Sequence, residues 1–280
     1  MPLDTSEADE RSVRDRIAAA VRRSNRPAPS VPLNADGNRH YLLSRLRSYC
    51  ILDPLIWGYT IVLGPLSLLS SLFDRDGRLQ HGFARLWSQL IMKTTFSPVT
   101  VVGLDKIDSS KPRVYAVNHA SALDIPVLYA NLPFQFRILF KSELLAYPFV
   151  GWHLKRSGQV CINQQDPAAS VGSIKSALKS LKSGMPLVVF PEGGRTPDGK
   201  IKPFLPGAFF LAIKAQADIV PVALVGTYEL LPMNTYHIKC RPLEMRVGLP
   251  ISTAGLTGHN MDALSARVQK AVEQLHDRQE

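Results

Sequence analysis

Asn118-His119-Ala120-Ser121-Ala122-Leu123-Asp124 sets an imidazole and a carboxylate five positions apart. That interval is roughly 140° of a regular helix, so on a helix the two side chains would not share a face. They meet only where the chain turns between them. The surroundings suit a turn: Val114–Val117 reads as a buried strand ending just before the pair, and Ile125-Pro126 opens a new apolar segment. In that geometry the carboxylate accepts one ring N–H, fixes the tautomer and leaves the other nitrogen free as a base. A plainer reading competes with it. Asp124 followed by Pro126 resembles a helix N-cap with proline in the first turn, Ser121-x-x-Asp124 is a weak capping box, and His119 would be a polar residue closing a strand. Spacing alone does not decide between them.

A second group follows another apolar run. Leu187–Phe190 leads into Pro191-Glu192-Gly193-Gly194-Arg195, with Lys200 and Lys202 close behind. Glycine allows backbone N–H groups to approach an oxyanion, and a guanidinium grips phosphate in a forked geometry, so this stretch is a candidate anion cradle. Its competitor is a polar turn, since Pro197-Asp198-Gly199 is a turn signal in its own right.

Both groups sit at the ends of short apolar runs that alternate with helical patterns. The strands predicted are Val99–Val102, Val114–Val117, Phe136–Phe140, Gln159–Ile162, Leu187–Phe190, Val220–Leu224 and Leu243–Val247. Helices are predicted over Ile125–Asn131, Pro167–Lys182, Gly207–Ala217 and Met261–Leu275. Nearly continuous apolar strands between helices imply an α/β domain with a largely parallel sheet covered on both faces, and ligands at the strand carboxyl ends.

Ahead of that domain, assigned to 99–280, the composition changes twice. Residues 1–38, with Arg26-Pro-Ala-Pro-Ser-Val-Pro32, read as a flexible basic arm. Residues 39–98 read as a membrane-associated helical hairpin. Pro54–Phe73 holds no charged residue and has the length of a membrane span, yet Gly64-Pro65 in its middle is expected to kink or break it. Phe83, Leu86, Trp87, Leu90 and Ile91 then recur at helical spacing opposite Arg85, Gln89 and Lys93. Arginines flank the apolar stretch on both sides (Arg45 and Arg47, Arg75 and Arg78), so charge gives no orientation for a single span. The hairpin is expected to dip into one leaflet with both ends cytoplasmic, on the inner (plasma) membrane; a buried helix pair and a true single span are the competing readings.

The formal net charge of +10 implies an anionic partner, and an anionic membrane surface fits. Basic residues are dispersed without a nucleic-acid motif or aromatic platform, so no nucleic-acid partner is expected. Cys50, Cys161 and Cys240 are odd in number and lack metal-ligand spacing, which argues for a reducing compartment. No signal peptide is read at the charged N-terminus, and the scattered histidines suggest no metal.

Taken together, Asn118-His119-x4-Asp124 and Phe190-Pro-Glu-Gly-Gly-Arg195 resemble the glycerolipid acyltransferase family, whose typical member acylates lysophosphatidic acid. Val220-Pro221-Val222, Lys141-Ser-Glu-Leu144 and Phe204-x-x-Gly207 also resemble family positions, so the likeness runs from about Val99 to Leu249. It implies the glycerol-3-phosphate acyltransferase-like α/β fold and transfer of an acyl group from acyl-CoA or acyl carrier protein to a lysophospholipid hydroxyl, giving phosphatidic acid without a cofactor. His119 would be the base and Asp124 its orienting partner. Glu192, Gly193, Gly194 and Arg195 would hold the acceptor head group, with Lys141 at the acceptor or donor phosphates. Two positions depart from the family pattern: Gly194 stands for a threonine, and Gln164 for an arginine that helps bind the acceptor phosphate. Lys155 and Arg156 just upstream are candidate substitutes. Gln164 also keeps other acceptors open, such as a lyso-ornithine lipid. A lipid hydrolase and a non-catalytic lipid-binding module are the remaining alternatives.

Overall fold

The structure, a computed structural model, describes residues 39–74, 76–108, 111–147, 150–162 and 167–278. The predicted basic arm, Arg75 and Gln164 lie outside the described residues. Seven strands form one sheet in the order β1-β7-β6-β2-β5-β3-β4. They are β1 (Val99–Val102), β2 (Val114–Val117), β3 (Arg137–Lys141), β4 (Val160–Ile162), β5 (Leu187–Val189), β6 (Ile219–Val225) and β7 (Leu243–Val247). All neighbours are parallel except β6 and β7. The predicted strands are all present, with ends moved by a residue or so.

The central strand β2 shows why the sheet is covered twice. Its side chains alternate between two cores: Val114 and Ala116 face one, Tyr115 and Val117 the other. The first core is closed by Leu181 of α6 (Pro167–Lys182), Phe209 and Ala212 of α7 (Gly207–Ala215), and Leu264, Val268 and Val272 of α9 (Met261–His276). The second is closed by Val127 and Leu128 of α4 (Asp124–Asn131), and by Ile91 and Met92 of α3 (Arg78–Thr94). Two short helices escaped prediction, α5 (Val150–Arg156) and α8 (Thr227–Leu230). Each is too short to establish a helical period.

The N-terminal helices are α1 (Arg39–Arg47) and α2 (Asp53–Ser70), joined through a π-helical turn at Ser48–Leu52. Tyr41–Ser70 is thus one 30-residue helical run, long and apolar enough to cross a membrane. Its apolar side chains are largely uncovered: Trp57, Ile61, Val62 and Leu69 are all more than half exposed. The expected break at Gly64-Pro65 is absent, because the helix runs through Pro65. Proline removes one N–H rung, but the helix is held on both sides of it. Tyr59 and Thr60 bond Thr94 and Trp87 of α3 before the proline, and Ser67 bonds His153 of α5 after it. The irregularity falls instead at the π turn, where Ser48 reaches the 236–238 loop, accepting from Ile238 N–H and donating to Tyr236 O.

The two halves of this helical pair differ. α3 docks on the sheet domain, burying Gln80, His81, Ser88, Ile91 and Met92. His81 lies against the rings of Tyr129 and Phe136, and this burial lowers its pKa to about 4.

Candidate active site

β2 and β5 are adjacent and parallel, with Ala116 opposite Val189. Their carboxyl ends therefore release the two sequence groups side by side, at the place where open α/β sheets bind ligands. Asn118 secures the first turn by a reciprocal pair: its Nδ2 donates to Leu224 O at 3.0 Å, and its Oδ1 accepts Leu224 N–H at 2.7 Å. Past this anchor the chain turns back on itself. Asp124 Oδ2 accepts from the backbone N–H of Ala120 (2.8 Å) and of Ser121 (2.9 Å), and meets His119 Nδ1 at 2.8 Å.

This arrangement decides between the two readings of Asp124. An N-cap accepts N–H groups that follow it in the chain, whereas this carboxylate accepts from residues that precede it. The helix begins at Asp124 itself with no side-chain cap. Ser121 makes a local turn instead, its Oγ accepting Leu123 N–H and donating to Leu231 O. Asp124 is fully buried, while the His119 side chain keeps 18% of its surface exposed. Asp124 Oδ2 acts as an acceptor throughout, so Nδ1 is the ring nitrogen that donates and Nε2 is left as the acceptor nitrogen. Phe190 stacks on the imidazole with ring centroids 4.1 Å apart, restricting its tilt.

Glu192 is placed differently from expectation. It is buried rather than open to an acceptor head group. Its Oε1 accepts His119 N–H at 2.7 Å and its Oε2 accepts Lys202 N–H at 2.9 Å. It ties the base-bearing turn to the loop that follows the glycines, and Thr196 N–H adds a bond to His119 O at 2.9 Å. Burial raises the Glu192 pKa to about 7, against the pull of the two backbone donors and of nearby Lys202.

Gly193 sits at φ +69°, a left-handed conformation that disfavours a side chain, and its N–H closes the turn on Phe190 O. Arg195 is half-buried, and its guanidinium makes no hydrogen bond or ion pair with the described residues. Lys141, at the end of β3, is also on this side: a methyl group added at Gly194 would lie 3.3 Å from its Nζ. The same methyl would lie 3.9 Å from Lys202 Nζ. Lys202 stands in the sequence with Lys200, yet only the fold separates them; Lys200 is exposed, whereas Lys202 turns inward and is half-buried. The proposed substitutes for the arginine replaced by Gln164 are Lys155 and Arg156. Lys155 is exposed, and Arg156 turns to Ser71 Oγ beyond the end of α2. Among the described residues, no cluster of three or more His, Cys, Asp or Glu could hold a metal ion.

A buried carboxylate bonded to a mostly buried imidazole, next to a glycine turn with two lysine ammoniums close by, suits an acyl-transfer type of site on an α/β scaffold. Comparison with known proteins agrees. The family described as Acyltransferase matches residues 98–225. A chloroplastic 1-acyl-sn-glycerol-3-phosphate acyltransferase of Brassica napus is 31% identical, over 85% of this chain and 68% of its own length. One from Chlamydomonas reinhardtii is 34% identical, over 88% of this chain and 75% of its own. The crystal structure of the 1-acyl-sn-glycerophosphate acyltransferase PlsC from Thermotoga maritima superposes with a TM-score of 0.65 at 25% identity, covering 86% of this chain and 98% of that one. This chain belongs to the 1-acyl-sn-glycerol-3-phosphate acyltransferase family.

Proposed function

We propose that the protein moves a fatty acyl group from an acyl thioester to the free hydroxyl of lysophosphatidic acid, giving phosphatidic acid for phospholipid synthesis. The observation that carries this reading is the 2.8 Å His119 Nδ1–Asp124 contact, which leaves Nε2 unbonded, in a turn tied to the neighbouring glycine turn where two lysine ammoniums meet. An alcohol is a weak nucleophile at neutral pH, so the reaction needs a positioned base. His119 Nε2 takes the hydroxyl proton as the oxygen attacks the thioester carbonyl carbon. The tetrahedral intermediate collapses by breaking the C–S bond, and the imidazolium returns the proton to the departing thiolate. Asp124, fixed by two backbone donors, stabilises the imidazolium and holds its orientation. Proton, acyl group and thiol all balance within this scheme, which calls on no cofactor.

Acyl-CoA and acyl carrier protein are both suitable donors, because the thioester is the reacting part of each. The exposed apolar run Tyr41–Ser70 and the net charge of +10 support action at an anionic bilayer, with the catalytic domain on the cytoplasmic face. Purified full-length protein, given labelled acyl-CoA and lysophosphatidic acid in mixed micelles, is expected to form labelled phosphatidic acid. Release of free fatty acid with no phosphatidic acid would make the protein a hydrolase and overturn the proposal.

A further inference from the structure

We infer that Lys202 is a ligand of the acceptor phosphate, joining Arg195 and Lys141, and that it tunes the site towards a phosphate monoester dianion. The inference rests on the acyl-transfer reading above and deepens it.

The argument begins with convergence. Lys141 comes from the end of β3 and Lys202 from the loop before α7, yet both ammonium groups close on Gly194, within 3.3 and 3.9 Å of where its Cβ would be. Like charges repel, so a fold brings two ammoniums to one point only at a cost or for an anion. Glu192 offsets part of the Lys202 charge, but one carboxylate stands against the cations of Lys141, Lys202 and Arg195, and neither Nζ makes a hydrogen bond or close ion pair with the described residues. The nearby carboxylate, Glu192, directs its oxygens to backbone N–H groups. Lys202 is half-buried, so its charge has lost part of its hydration; that burial pulls its pKa down, with Glu192 opposing the shift and Lys141 adding to it. A phosphate bound there would restore what the ammonium has lost.

A second observation connects this cation to the chemistry. The Lys202 backbone N–H and the His119 backbone N–H are held by opposite oxygens of one Glu192 carboxylate. The phosphate end and the base end of the acceptor site are thus fixed relative to each other by one buried side chain.

The test uses the full chain in mixed micelles with lysophosphatidic acid, and lysophosphatidylethanolamine as a phosphodiester acceptor of lower charge. Lys202→Met keeps the aliphatic stem and removes the charge. It is expected to raise the KM for lysophosphatidic acid about tenfold or more, since a hydrogen bond between charged groups is involved, while kcat stays within about threefold. The inhibition constant of sn-glycerol 3-phosphate should rise by a similar factor, discrimination between the two acceptors should fall, and Lys202→Arg should restore most of the binding. An unchanged KM in Lys202→Met overturns the inference. So does an equal loss on kcat and KM with a lowered melting temperature, which would mark a structural role. If Lys202→Met is poorly folded, Lys202→Gln is judged by the same measurements. Wild-type protein that acylates no phosphate-bearing lysolipid would instead remove the proposed function, an outcome separate from either.

Discussion

The two turns at the carboxyl ends of β2 and β5 treat charge in opposite ways. In the first, one fully buried carboxylate is held by two backbone N–H groups and an imidazole, so its position is set before any substrate arrives. In the second, the side chains of Arg195, Lys141 and Lys202 make no hydrogen bond or close ion pair with the described residues, and Glu192 offsets only part of the Lys202 charge. The proposed mechanism accounts for the contrast by giving the two turns different tasks. A base works only if its orientation is fixed in advance, because misalignment subtracts directly from the transition state. A phosphate grip works only if its donors stay unfilled until the ligand comes. Glu192 belongs to both turns, and stiffens each through the backbone of the other.

The comparison breaks most visibly at the base. His119→Ala should lower turnover by roughly 10²–10⁴-fold or more while the protein still folds. Asp124→Asn keeps the shape of the carboxylate but removes its charge, and the imidazolium loses its anionic partner. We expect a fall of about 10²-fold or more in kcat. Initial rates of phosphatidic acid formation check both. Near-normal rates in either variant would detach that residue from the chemistry.

The second turn should respond in binding rather than in turnover. Arg195→Ala is expected to raise the KM for lysophosphatidic acid by about 10- to 100-fold, in line with about 1.5–3 kcal/mol for a hydrogen bond to a charged group. A large loss of kcat at saturating acceptor would mean that the guanidinium acts at the reacting centre, and the division between the turns would not hold.

Much of this was legible in the chain, for reasons that differ between regions. The strands stood out because parallel strands covered on both faces are continuous apolar runs, and Leu187–Val189 or Val114–Val117 have no other environment that suits them. The His119–Asp124 contact was legible as a possibility, since a five-residue interval closes only across a turn. Its alternative, the N-cap, failed on a directional point that composition does not carry: which backbone N–H groups the carboxylate faces. Glu192 was misplaced because a glutamate in a cationic turn looks the same in sequence whether it points in or out. Lys202 differs from Lys200 only by the way the loop rolls after Gly199. Helix α2 ran through Pro65 because hydrogen bonds from α3 and α5 hold it on either side, and long-range contacts of that kind leave no local trace.

Glu192 can be tested through pH. Its carboxyl has a pKa of about 7 in the folded protein against an ordinary value of 4.5. Between these values the unfolded chain has released the proton while the folded protein still holds it, so the folded state loses stability as pH rises. Glu192→Gln is neutral throughout and mimics the protonated carboxyl. The variant should therefore gain on the wild type as pH rises from about 4.5 to 7, by up to about 3 kcal/mol. Denaturant melts of both proteins across that range give the difference directly. A difference independent of pH would mean that the carboxylate ionises as freely in the fold as outside it.

The smallest expected effects separate the two glycines that lie next to each other in the second turn. Gly193 has φ +69° and donates its N–H to Phe190 O at 3.0 Å, so the turn needs a left-handed residue at that point. A Cβ in that region crowds the neighbouring carbonyl, and Gly193→Ala should cost about 1–2 kcal/mol, lowering Tm by a few degrees. Gly194 is under no such backbone constraint. Its added Cβ would meet the tip of the Lys141 side chain at 3.3 Å, and a lysine with several free torsions moves aside easily. Gly194→Ala should therefore stay within about 0.5 kcal/mol of wild type, and its KM for lysophosphatidic acid should move by no more than about threefold. Threonine at 194, the residue usual in the family, should also fold. Equal destabilisation at the two positions would show that the turn is tight at 194 as well. The room for a phosphate between Lys141 and Lys202 would then have to be sought elsewhere.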